Sequence, residues 1–168
     1  AVTPEYYNDK GTYTRDNQGF SNNHYTNDTM RNNPIKAKVA RDKEDIYFMA
    51  ECEEALKGDG DSSFMNLYID SDRLHKTGWE GFDYVIAGNK VYSLASDGTR
   101  SEIGNAEYKI IDKTIVYKIS RATINLTGML DFEFKWTDNV TTTDILDFYV
   151  DGCVAPMGRF NYRYSETP

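Results

Sequence analysis

Four carboxylates, Asp70, Asp72, Glu80 and Asp83, fall within one short stretch that also carries Trp79, one of two tryptophans in the chain, between Gly78 and Gly81. Carboxylate oxygens are the donors a hard cation such as calcium takes, and glycines let the backbone fold its carbonyls inward toward one. The EF-hand pattern is absent, because Leu74 and Lys76 occupy places that need oxygen donors. Asp70, Asp72 and Asp83 are therefore candidate calcium ligands, with one alternative: Asp70 and Asp72 shape a strand end by accepting backbone N–H bonds and pairing with Arg73 or Lys76.

A sugar site needs a flat apolar ring to lie against a pyranose, and a few polar groups around it. Trp79, placed in a loop and read as exposed, is the candidate ring, with Asp83 and Tyr84 beside it as hydrogen-bonding groups. The other reading is that the indole plugs the end of the fold. Trp136 shares a face with Phe132 and Phe134 and is assigned to the core, so Asp138 and Asn139, just beyond it, are the further candidate ligand contacts.

These residues must be positioned by strands, because the period along most of the chain is two. Met65, Leu67 and Ile69 alternate with Asn66, Tyr68 and Asp70, which reads as one apolar face and one polar platform. IYFMAEC is apolar on both faces, as a central strand is, and FDYVIA and KVYSLA flank a tight Gly88-Asn89 turn. AEYKII and TIVYKIS form a hairpin about Asp112-Lys113, RATINL is read as a short helical turn, and strands follow at LDFEFKW, ILDFYV and RFNYRY. Nine or ten short strands without a long amphipathic segment predict an all-β, antiparallel β-sandwich.

One domain is expected in total, residues 1–34 being an N-terminal strap packed on a core of residues 35–168. The strap is poor in aliphatics, but Tyr6, Tyr7, Tyr13, Tyr25 and Phe20 give it surface to pack down with. Its opening residues, AVTPEYYNDKG, read as a linker leading into a domain of a longer parent.

A net charge of −8 argues against a nucleic-acid partner, and no apolar run of roughly 18 residues is present to span a membrane. Cys52 and Cys153 lack zinc-site spacing, which leaves one disulfide or two free thiols. No GxSxG, HExxH, Walker or GxGxxG pattern occurs, and His24 and His75 lie in polar stretches without a nucleophile nearby. The expectation is a chain that is not an enzyme, with no certain cofactor beyond candidate calcium.

The segments KVARDKEDIYFMAE, LYIDSDRLHKTGWEGFDYVI, YKISRATINL and FEFKWTDNVTTTDILDFYVDGCVAPMGRFNYRY, in that order, resemble carbohydrate-binding module family 9-like (DOMON-like) domains. They look most like those at the C-terminal end of secreted Bacteroidetes glycoside hydrolase-like proteins. The resemblance spans about residues 5–164 and departs from the subgroup at Met30, often glycine there, and at Cys153, often acidic, so the acid that relatives carry near Asp151 is missing here. It implies a jelly-roll-like sandwich, an extracytoplasmic setting, a glycan ligand and a catalytic domain in the same parent chain. A structural domain without a ligand is the alternative, and a glycoside hydrolase the third reading.

Overall fold

The computed structural model describes residues 11–15, 23–27, 29–141, 152–156 and 160–166. The late strand expected around ILDFYV, Asp151 and the packing of Tyr6, Tyr7, Tyr13, Tyr25 and Phe20 lie outside the described residues. Among those described, every regular element is a strand and every pairing is antiparallel. No helix among them is long and apolar enough to cross a membrane.

A separate hairpin joins β1 (Gly11–Arg15) to β2 (Asn23–Asn27). The smaller sheet runs β3-β4-β10-β9, from β3 (Pro34–Arg41), β4 (Asp45–Cys52), β9 (Glu107–Ile111) and β10 (Thr114–Ser120). The larger has the order β12-β11-β5-β6-β7-β8, with β5 (Asn66–Asp70), β6 (Tyr84–Ala87), β7 (Lys90–Leu94), β8 (Arg100–Asn105), β11 (Asp131–Asp138) and β12 (Cys153–Ala155). β13 (Tyr162–Ser165) takes the first half of the β11 edge that β12 takes at its end.

The two sheets form a sandwich because alternate residues of β4, β10, β5 and β11 turn to one core: Ile46, Phe48 and Ala50; Ile115, Tyr117 and Ile119; Leu67 and Ile69; Phe132, Phe134 and Trp136. Phe48 meets the rings of Phe132 and Phe134 edge-on at 5.7 and 5.5 Å, and Tyr117 stacks on Trp136 at 5.7 Å. β4 is an inner strand, as its composition suggests.

The larger sheet is covered on its other face too. Tyr68, Val85, Leu94 and Val154 pack there with Trp79, Phe82 and Val140 in a second apolar cluster. Every residue of β5 is consequently buried, so the polar platform read from its alternation is an interior face. Residues 121–125 form turns and no helical turn. The buried Arg121 guanidinium draws the carbonyls of Leu126, Gly128 and Asp42 around itself, which bends the backbone away from a helical ladder.

The end of the leading segment is fastened by ions. Arg31 donates from Nε to Asp138 Oδ2 at 2.7 Å and from Nη1 to Asp61 Oδ2 at 3.0 Å, while Asn32 Nδ2 reaches Asp138 Oδ1 at 3.0 Å. Cys52 and Cys153 are both buried and form no disulfide, and burial, reinforced by the Asp138 charge, pushes the Cys52 thiol up to about 12.

Candidate functional site

Strand β5 delivers Asp70 to its end, the chain turns at Asp72, and Asp83 returns to pair with β5 through its N–H on the Ile69 carbonyl at 2.9 Å. Asp70, Asp72 and Asp83 thereby offer carboxylate oxygens that all lie within 4.8 Å of one another. One oxygen of each is held by a local donor. Arg73 N–H binds Asp70 Oδ1 at 2.6 Å, Leu74 N–H and Thr77 Oγ1 bind Asp72 Oδ1 at 2.9 Å, and Ser71 N–H and Oγ bind Asp83 Oδ2 at 2.9 and 3.0 Å.

The second oxygen of Asp70, Oδ2, is buried without any hydrogen-bond partner, in a residue only 1% exposed. An isolated buried carboxylate oxygen is costly, and a cation is the partner that three converging carboxylates suit. Gly81 leaves room on that side, since a Cβ there would stand 3.5 Å from Asp70 Oδ2 and 3.2 Å from the His75 Cα. The donor set fits a hard cation. The local N–H bonds that formed the alternative reading are also present, on the other oxygens, so they are compatible with a cation on the remaining ones; Arg73, for its part, pairs with Asp131 at 2.9 Å.

Burial first, and then the charges of Asp83 and Asp72, raise the Asp70 carboxyl to about 6. Its folded value lies above the unfolded one, so the native state holds the proton more tightly and the apo protein loses stability as pH rises through about 6. In chelator, therefore, thermal stability is expected to increase as pH is lowered from 7 toward 4, by roughly 2 kcal/mol. Below that, Asp61 and Glu166, both held at about 2 by N–H and arginine donors, begin to cost stability as they protonate. Melting curves of the wild type and Asp70→Asn across this range check it: the rise on acidification is expected to be clearly smaller in the variant, where Asp138, also pushed up by burial, still contributes.

The same loop builds the outer cluster. Trp79 and Phe82 exchange backbone bonds at 2.8 and 2.9 Å across a tight turn in which Glu80 and Gly81 both have positive φ, 51° and 94°. A Cβ on Gly78 would collide with the Phe82 carbonyl at 2.0 Å, so only glycine closes this turn. Trp79 itself is 7% exposed, its ring 5.9 Å from that of Tyr68 and 6.3 Å from that of Phe82. The exposed indole platform expected from the loop is thus corrected to a ring laid on the outer face of the sheet, because that face needs apolar cover.

The other expected ligand contacts disperse. Tyr84 packs against the inter-sheet core, on the opposite face from Trp79, as a residue one step from Val85 must. Asp83 belongs to the carboxylate cluster. Asp138 is 0% exposed and locked to Arg31, Asn32 and the Met65 N–H. Asn139 is exposed with φ 58°, and it follows the end of β11 that pairs with Asn66, whereas Asp70 pairs with Glu133 at the other end.

What borders Trp79 instead is a cavity of about 290 Å³ lined by Tyr68, Trp79, Leu94, Asp97, Gly98, Thr99 and Arg100. The turn after β7 closes it: Gly98 N–H donates to Ala95 O at 2.9 Å, and Gly98 has φ 85°. A Cβ on Gly98 would sit 3.2 Å from Trp79 Cδ1, so glycine lets the turn approach the indole edge. The SDGT turn carried this signal in the sequence, as did Tyr68 on the face opposite Leu67. A second depression, of about 320 Å³ on the smaller sheet beside Tyr47, Val116 and Ile111, is more open, and Tyr47 there gives its hydroxyl to Asp42.

No family model, curated protein or solved structure matches this chain.

Proposed function

We propose that this chain is a non-catalytic carbohydrate-binding accessory module, whose site is the cavity between the Trp79 edge and the turn at 95–99. The observation that carries the reading is the lining: two aromatic rings with Asp97, Thr99 and Arg100 around one small opening. Aromatic faces with a few convergent polar groups suit a sugar ring. At about 290 Å³ the space is just below the roughly 300–1,000 Å³ of ligand pockets, room for one sugar unit.

The acidic cluster serves this site in the proposal. Calcium bound by Asp70, Asp72 and Asp83 would neutralise their mutual repulsion and hold the loop that carries Trp79 as a wall of the cavity. A setting outside the cytoplasm, beside a catalytic domain of a longer parent, completes the reading and rests on the family resemblance. Dissociation constants from millimolar to micromolar, about −4 to −8 kcal/mol, are expected for so small a site.

Titration with mono- and oligosaccharides in calcium, followed by tryptophan fluorescence, tests it. Trp136 is fully buried in the core, so a response reports on Trp79, and it should vanish in Trp79→Phe. Silence toward every sugar, with and without calcium, would favour the structural-domain reading, to which the burial of Trp79 already lends weight. Turnover of aryl glycosides by the isolated chain would replace both with a hydrolase.

A further inference from the structure

We infer that the sugar taken by this cavity is a carboxylated one, a uronic-acid unit of an acidic glycan, and that Arg100 selects it; the inference rests on the glycan-binding reading above. Arg100 opens β8 at the cavity wall. Its Nη2 donates to the Tyr68 hydroxyl at 3.2 Å, and its guanidinium carbon stands 6.0 Å from the centre of the Tyr92 ring. Two aromatic side chains thus hold the planar group in place before any ligand arrives.

The partners of the other described arginines make Arg100 distinctive. Arg31, Arg41, Arg73 and Arg163 each meet a carboxylate within 3.0 Å, and Arg121 gives its donors to backbone carbonyls. Arg100 has no carboxylate within ion-pair distance among the described residues, in a chain where 27 acids outnumber 19 bases. A guanidinium carries five N–H donors in a fork that matches a carboxylate, and among the described residues only one of them is engaged, on Tyr68.

Asp97 sets the orientation. Its Oδ1 accepts the Thr99 N–H at 2.9 Å, and that bond holds the carboxyl below the ordinary carboxylate range, so it stays charged. A negative ligand group is repelled from Asp97 and drawn to Arg100, while sugar hydroxyls donate to the remaining Asp97 oxygen. The ring then lies against the Trp79 edge with its carboxylate end at Arg100.

Calorimetric titration in calcium with galacturonate, glucuronate, galactose, glucose and the methyl ester of galacturonate tests this. The acids are expected to bind about tenfold more tightly than the neutral sugars and the ester, since charge-assisted bidentate pairs are roughly twice as strong as neutral bonds. Arg100→Gln should erase that preference, weakening the acids about tenfold more than the neutral sugars. The ester keeps the ligand's shape without its charge, so the comparison holds even if the variant folds poorly. Equal affinity for acid and ester, or an equal loss for all sugars in Arg100→Gln, overturns the inference and leaves the glycan reading standing. No binding of any sugar removes both.

Discussion

Adding calcium to the chelated protein at neutral pH is expected to raise its melting temperature by roughly 5–10 °C. A ligand bound by the native state alone, at a hundred times its dissociation constant, stabilises by about 2.7 kcal/mol, and about 1 kcal/mol moves the midpoint of a domain this size by roughly 2–4 °C. Asp70→Asn should abolish the response. It should also melt higher than the wild type in chelator, because it removes one of three carboxylates that repel one another while its side-chain oxygen can still accept the Arg73 N–H. That inverted pair of effects separates a cation site from a purely local role. If the carboxylates only shape the strand end, calcium moves neither protein and Asp70→Asn is neutral or destabilising. Scanning calorimetry of both proteins in calcium and in chelator reads the difference.

The second large effect lies at the other end of β5. Arg31→Ala leaves Asp138 as a charge buried in the interior, and breaking a buried pair from one side costs about 3–5 kcal/mol. Burial already pushes the Asp138 carboxyl up, against the pull of Arg31, Asn32 and the Met65 N–H. Adding Asp138→Asn to Arg31→Ala should recover at least half of the loss, because an amide oxygen still accepts from Asn32 Nδ2 and Met65 N–H without carrying charge. Urea denaturation of the single variants and the double variant measures the coupling. A loss below about 1 kcal/mol in Arg31→Ala would place the contact among surface ion pairs of little consequence.

The strands were legible because their alternation is written in neighbouring residues. Phe132, Phe134 and Trp136 turn to one core as their spacing predicts, and the three aspartates meet because they flank a single loop. Trp79 misled because the outer face of the larger sheet carries an apolar cluster of its own, drawn from residues as far apart as Tyr68 and Val154, and the indole joins it. Tyr84 misled for a simpler reason: chain neighbours in a strand face opposite ways, so proximity to Asp83 in sequence takes it away from Trp79 in space. Asp138 could be read as the end of a strand, but its tie to Arg31 joins segments that no local pattern relates. The cavity required two loops, 71–83 and 95–99, to approach one another, and Arg100 shows its lack of a carboxylate among the described residues only once their neighbours are in place.

One measurement bears on both halves of the proposed site: sugar affinity at saturating calcium compared with affinity in chelator. If the ion holds the loop that walls the cavity, the wild type binds clearly more weakly in chelator, and Asp70→Asn shows no difference between the two conditions. Superimposable wild-type titrations in calcium and in chelator would contradict a loop held by the ion.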